Sequence, residues 1–158
     1  MTNPNFVGVW KLVSWKTENP NGKIIYPYGK NPIGHLTYTQ DGYISANIMK
    51  DNCLPLELSV EELIKTRKVF LNPWLLFRNG RKYIKAIIRY FKSSINYISY
   101  SGKYQIQGDK VIHHVEVSLI PDWIGKDLER TFEITDHELL LTTLPLDGSP
   151  QYLQWKRI

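Results

Sequence analysis

From Asn96 to Arg157 the chain repeats one pattern, a run of alternating apolar and polar residues followed by a short turn. The runs cover about 96–106, 110–120, 128–135, 139–144 and 152–157, and three of the turns are Gln107-Gly108-Asp109, Asp136-His137 and Asp147-Gly148. Alternation with period two puts successive side chains on opposite faces of a strand, and turns this short join only antiparallel neighbours. The C-terminal half therefore reads as an antiparallel meander.

The N-terminal part continues the theme. A first strand is expected over 7–16, with Trp10, Leu12 and Ser14 on one face and Val9, Lys11, Val13 and Trp15 on the other. Asn19-Pro20-Asn21-Gly22 and Gly29-Lys30-Asn31-Pro32 are turns by composition and bracket a short strand over 23–28. Strands at 35–39 and 43–49 flank Gln40-Asp41-Gly42-Tyr43, where Asp-Gly is a strong hairpin signal. The total is about eight or nine strands in a mainly β chain. Closing such a sheet into an up-and-down barrel removes its edges, and about eight strands leave room for one small ligand. With 158 residues, 42% hydrophobic and 22% charged, the chain is expected to form a single domain over 1–158.

Residues 55–93 break the β rhythm and are expected to be a helical insertion. Ser59-Val60-Glu61-Glu62 fits a capping box, so a helix is predicted from Val60 to Leu71, where Asn72-Pro73 stops it. A second helix is predicted over 82–92, with Lys82, Lys85, Arg89 and Lys92 as a basic outer stripe and Ile84, Ile87, Ile88 and Phe91 opposite. Trp74-Leu75-Leu76-Phe77 before it fits a portal, a dimer contact or ordinary core.

The formal charge of +5 is local. Nine of the 20 Lys and Arg lie in residues 63–92, which contain no Asp or Glu, leaving eleven basic against fifteen acidic residues elsewhere. No nucleic-acid reading module accompanies this patch, and no nucleic-acid partner is expected. Helix 82–92 reads as a lid with a solvated basic face or, more sharply, as a weak membrane-surface contact. The lone Cys53 excludes an intrachain disulfide and fits a reducing compartment. No apolar leader or span is evident, and a cytoplasmic location is expected. The chain carries no signal for an oligomeric state.

Turn positions allow the strands to be paired. The Gly108-Asp109 turn sets Tyr104 opposite His113, and Asp136-His137 sets Arg130 opposite Thr143. A loop centred at Trp123 and Ile124 sets Val117 opposite Arg130, Val115 opposite Phe132 and His113 opposite Ile134. One face then carries Tyr104, His113, Val115, Val117, Arg130, Phe132 and Thr143, and the other carries His114, Glu116, Ser118 and Glu129. The first is the expected interior, the second the solvent side. Tyr38, Ser45 and Asn47 are further candidates for pocket polar groups, on a face shared with Leu36 and Met49. The opposite face, with Ile44, Ala46 and Ile48, is equally apolar.

An apolar interior with a few converging polar groups is the pattern of a small-molecule site. His113 with Tyr104 would move a proton, and Arg130 would hold a carboxylate or enolate-like oxygen. The plainer alternative is that His113 hydrogen-bonds Tyr104 or a carbonyl and that Arg130 pairs with a buried acceptor or reaches the rim. His113 and His114 point to opposite faces, and no other ligand spacing exists, so no metal site is expected. Trp10 and Trp155 read as core or end plugs.

These residues carry a resemblance. Gly8-Val9-Trp10 with Trp155 and Arg157 resembles the lipocalin closure, in which a Trp is covered by a late Arg. Tyr26-Pro27-Tyr28-Gly29, the run Gly34 to Ala46, Tyr100-Ser101-Gly102-Lys103-Tyr104, and His113 to Ser118 with Pro121, Trp123, Gly125 and Arg130 are similar to a microbial lipocalin-like domain family. The resemblance implies a calycin-type barrel of the kind used as a carrier or as a cofactor-free cyclase or isomerase in secondary metabolism. The chain departs from that pattern over about 55–80. The first expectation is a pocket protein acting on a hydrophobic oxygenated substrate without a cofactor. A non-catalytic carrier with the same pocket is the alternative, and a barrel filled by its own side chains is the third.

Overall fold

In a computed structural model, residues 5–70, 74–146 and 149–158 are described, and within them residues 66–70, 74–83 and 144–146 are described by backbone alone. The chain divides into two compact units, residues 1–51 with 97–158, and residues 52–96.

The first unit holds β1 (Gly8–Glu18), β2 (Ile24–Ile25), β3 (Ile33–Tyr38), β4 (Tyr43–Met49), β5 (Tyr97–Gln107), β6 (Lys110–Ser118), β7 (Asp127–Ile134), β8 (Glu138–Leu146) and β9 (Ser149–Arg157). All neighbouring strands pair antiparallel, and β9 returns to β1. Eight strands therefore close into a barrel, and β2 is an extra two-residue strand on the far half of β1. Asp41-Gly42 makes the β3–β4 turn, with Gly42 at φ +83, a conformation that glycine adopts without the Cβ penalty.

Bulges decide where the period-two reading fails. In β1 the register to β9 shifts between Leu12 and Ser14. Trp10 and Leu12 share the inward face, but past the shift the inward residues are Trp15 and Thr17, not Ser14, the residue expected to share a face with Trp10 and Leu12. In the β5–β6 pair the register shifts between Ser101 and Gly102, so Val115 is buried whereas Val117 is 65% exposed. A Cβ on Gly102 would overlap the His114 carbonyl oxygen, which explains a glycine in mid-strand. The expected inward position of Val117 is thereby corrected.

Two of the expected pairings hold, Tyr104 with His113 and Arg130 with Thr143. The three expected across the loop at Trp123 and Ile124 do not: Arg130 faces Val111 and His113 faces Leu128 across β6 and β7, because the register of β6 with β7 ends at His114 and a 3-10 turn at Pro121–Trp123 fills the corner. The slip is six residues. An even slip keeps every side chain on its face, so His113, Val115, Phe132 and Ile134 still face inward despite the wrong partners.

In β3 and β4, Leu36 pairs with Ala46 and Tyr38 with Ile44. These four are buried, with Ile48. Ser45 and Asn47 point the other way, where Asn47 accepts from Tyr97 at 3.0 Å and Ser99 at 2.8 Å and donates to Ser45 at 3.2 Å. The expectation that they share a face with Tyr38 is corrected, since cross-strand partners lie on one face and neighbours along a strand alternate.

The second unit consists of α1 (Val60–Phe70) and α2 (Trp74–Ile95). The capping box forms as expected, with the Glu62 amide donating to Ser59 Oγ at 3.2 Å and the Ser59 amide to the Glu62 carboxylate at 3.0 Å. Helix α2 starts eight residues earlier than the expected Lys82 and passes through Asn79-Gly80. One interior glycine costs a growing helix only about 1 kcal/mol, less than starting afresh. Side chains of Trp74 to Phe77 lie outside the described residues. Ala86 is buried, Ile84, Ile88, Phe91 and Ile95 are exposed, and Arg89 is held by Glu57 at 2.8 Å and the Pro55 carbonyl at 2.9 Å. The apolar stripe of α2, not only its basic one, therefore meets solvent. No described helix is long and apolar enough to cross a membrane.

Candidate functional site

One end of the barrel interior is a plug. Phe6 enters it and packs edge-on against Tyr38 at 5.1 Å and Phe132 at 4.8 Å between ring centroids. The Trp10 indole N–H donates to the Phe6 carbonyl at 2.9 Å, and the Arg157 guanidinium stacks 4.0 Å from the Trp10 ring while donating to the carbonyls of Asn5, Val7 and Asp136. Gly8, at φ +137, lies so close that a Cβ would sit 2.8 Å from Arg157 Nη1. The Gly-x-Trp and late Arg are thus one closure, in which a cation covers an aromatic face and caps backbone carbonyls.

Next along the interior is His113, fully buried. The Tyr38 hydroxyl lies 2.7 Å from its Nε2, and the Tyr100 hydroxyl 2.9 Å from its Nδ1. Burial holds the imidazole well below its ordinary pKa of 6.5, with the Arg130 guanidinium and His114 adding to the effect. Burial likewise raises both tyrosines, Tyr38 strongly. All three are neutral near pH 7: one tyrosine donates to the unprotonated ring nitrogen and the other accepts from the ring N–H. Tyr104, paired with His113 along the strands, turns its hydroxyl to the Thr39 carbonyl at 3.2 Å instead.

Beyond His113 the interior is hollow. A cavity of about 280 Å³ is lined mainly by apolar and aromatic side chains, among them Trp15, Tyr100, Trp123 and Trp155, with Arg130 and Thr143. Trp15 is held by a 2.8 Å bond from its indole N–H to the Gln151 side-chain oxygen and stacks on Tyr28 at 4.5 Å. Tyr100 joins the cavity to His113, its ring 5.8 Å from Trp123 and 5.7 Å from the Arg130 guanidinium carbon. Arg130 donates from Nη1 to the Leu128 carbonyl at 3.0 Å. Among the described residues only two buried side-chain polar atoms have no hydrogen-bond partner, Thr143 Oγ1 and Trp155 Nε1. Both belong to residues that line this cavity. A buried donor without an acceptor costs about 1–3 kcal/mol, so two such atoms at one hollow mark the place where a partner is expected. A larger groove of about 710 Å³, lined by charged Lys16, Glu18, Glu133 and Glu138 among others, contains neither atom.

Of the residues singled out in the sequence, Arg130 and Thr143 come together at the cavity. Tyr38 and His113 are joined to each other outside its lining, Tyr104 and Phe132 stand in the plug aromatic cluster, and Val115 is buried core. Val117, Ser45 and Asn47 face away from the interior. The sequence reading missed Trp15 because of the bulge in β1 and passed over Tyr100, although the quoted Tyr100 to Tyr104 motif contains it. Trp155, expected as core or an end plug, is buried core, and its indole nitrogen is unspent. Among the described residues no cluster of three His, Cys, Asp or Glu side chains is placed to hold a metal.

An antiparallel eight-stranded barrel with a Trp–Arg closure at one end and a hollow at the other defines the lipocalin-like class. The profile of the lipocalin-like domain family matches residues 7–69 and 87–158, and the chain belongs to that family. The match breaks over residues 70–86, later than the 55–80 span expected to depart from the pattern. Over 76 residues the chain is 33% identical to the 4'-hydroxy-3'-methoxypropiophenone carrier protein ppsC of Aspergillus oryzae, spanning 40% of this chain and 68% of that protein. Similar solved structures include a lipocalin-like protein from Bacteroides uniformis, 9% identical over 96% of this chain and 97% of that one, with a TM-score of 0.44. An uncharacterized protein from Bacteroides eggerthii is 13% identical over 98% and 100% of the two chains, with a TM-score of 0.43.

Proposed function

We propose that the protein is a carrier that binds one hydrophobic, oxygenated small molecule inside the barrel and releases it unchanged. The observation that carries this reading is the apolar cavity whose lining residues include Thr143 and Trp155, the two with a buried polar atom, Oγ1 and Nε1, that has no partner among the described residues. A relative named for carrying a methoxylated aryl ketone supports the same direction. Native mass spectrometry after incubation with 4'-hydroxy-3'-methoxypropiophenone is expected to show a one-to-one adduct from which the compound is recovered intact. Absence of an adduct, or recovery of a rearranged product whose yield falls in His113→Gln, would overturn the carrier reading.

The second reading, a cofactor-free cyclase or isomerase, has one observation in its favour: Tyr100 lines the cavity and touches His113, so a Tyr100–His113–Tyr38 chain reaches the hollow. Against it, both imidazole nitrogens are occupied and the tyrosine pKa values are raised, which makes proton transfer from this chain to a ligand costly near neutrality. For the helical unit, the exposed apolar residues of α2 beside Lys85 and Lys92 favour a weak contact with anionic lipid surfaces. Co-sedimentation with phosphatidylglycerol vesicles but not with phosphatidylcholine vesicles is the expected result; equal partitioning would remove it.

A further inference from the structure

The polar groups left over on the residues lining the cavity are all able to donate. The Trp155 indole N–H donates only; the Gln151 oxygen is spent on Trp15, leaving its amide N–H groups; and Arg130 has further N–H groups beyond the one given to Leu128. The nearby acids have partners, Asp127 with His114 and Glu129 with Lys110. A lining of this kind recognises oxygens that accept.

The donors are also separated along the barrel. Thr143 pairs with Gln151 on one side and Arg130 on the other, so these three share one level. Trp155 lies four residues further along β9, next to Leu12 and toward the plug, about 13 Å at roughly 3.3 Å per residue. One acceptor therefore belongs at the inner end beside Trp155 and another at the outer end beside Thr143 and Arg130. Four aromatic side chains, Trp15, Tyr100, Trp123 and Trp155, line the space between and favour a flat aromatic body. A cavity of about 280 Å³ suits a single ring with short substituents.

Resting on the carrier reading, we infer that the ligand is a single-ring aromatic with a carbonyl oxygen accepting from Trp155 Nε1 and a phenolic or ether oxygen at the opposite end meeting Thr143 and Arg130. The orientation follows from chemistry. A carbonyl only accepts, which matches the donor-only indole. A phenol both donates and accepts, as the Thr143 hydroxyl does, and any phenolate character is stabilised by the guanidinium.

Fluorescence titrations with three probes test this: 4'-hydroxy-3'-methoxypropiophenone, propiophenone without the ring oxygens, and 2-methoxy-4-propylphenol without the carbonyl. Trp155→Phe keeps an aromatic ring but deletes the N–H together with the five-membered ring, so the donor is read from the difference between probes. The loss for the two ketones is expected to exceed that for the third probe roughly three- to tenfold, the scale of one hydrogen bond. Thr143→Val, close in shape, is expected to weaken the two phenols and spare propiophenone. Equal affinities of the native protein and Trp155→Phe for the ketones, or equal losses for all three probes, would overturn the inference while the carrier reading stands. Failure of the native protein to bind any of the three would overturn the carrier reading for aromatic ligands and this inference with it.

Discussion

Around His113 the barrel interior is filled and its polar groups are spent: Tyr38 and Tyr100 occupy both imidazole nitrogens, and Phe6, Tyr104 and Phe132 close the space toward the plug. A few residues further along the same strands, around Thr143 and Trp155, the interior is hollow and polar atoms go without partners. Both regions are built from inward residues of the same barrel strands. They differ in whether each polar group meets another polar group inside the protein. Where it does, the group stabilises the fold; where it does not, the fold bears a cost that a ligand would remove. Polar residue type alone does not separate a structural site from a binding site. Partnership does.

The largest effect should come from breaking the filled half. His113→Ala leaves two tyrosine hydroxyls unpaired and opens a void, and a loss of about 3–5 kcal/mol is expected in urea unfolding. A loss below about 1 kcal/mol would mean that the three groups are not one network. Acid should reach the same group more gently. Because burial places the folded pKa of His113 below 6.5, the unfolded chain binds the extra proton in the window beneath that value. The contribution is complete above about pH 6.5 and is lost as the pH falls through the window, by at most about 1.4 kcal/mol per pH unit for one proton. His113→Gln should flatten that part of the stability profile; an unchanged slope would assign it to other groups.

The hollow half should respond more weakly. Trp155→Phe removes a donor that has no acceptor in the free protein but also the five-membered ring of a buried core side chain, so a loss of about 1–2 kcal/mol is expected, below that of His113→Ala, while ketone binding weakens. A loss as large as that of His113→Ala would show that the indole N–H is satisfied without ligand. The smallest effect is expected outside both halves. Val117→Ser, at a position 65% exposed, should change stability by less than about 0.5 kcal/mol and leave binding untouched.

Much of this contrast could be read from alternation and turns. The barrel, the Asp41-Gly42 hairpin, the capping box at Ser59 and the pairings of Tyr104 with His113 and Arg130 with Thr143 follow from local chemistry. What escaped was set by bulges and by distance. A single extra residue in β1 turned Trp15 inward, and another opposite Gly102 turned Val117 outward, and neither leaves a local mark beyond the glycine. The partners of His113 come from β3 and β5, 75 and 13 residues away, so pairing arithmetic that chose the strand neighbour Tyr104 found the right strand and the wrong hydroxyl. Unpartnered atoms are less legible still, because an absence of contacts is a property of the assembled interior.

The most direct test is to watch the indole N–H groups themselves. The chain has five tryptophans, and in a ¹⁵N–¹H correlation spectrum their side-chain signals can be assigned with Trp155→Phe and Trp10→Phe. On titration with 4'-hydroxy-3'-methoxypropiophenone, the Trp155 Nε1–H resonance should move downfield to saturation as it gains an acceptor, while that of Trp10, already bonded to the Phe6 carbonyl, stays in place. A Trp155 resonance that does not move while the compound binds elsewhere in the spectrum would contradict the assignment of the hollow half as the ligand site.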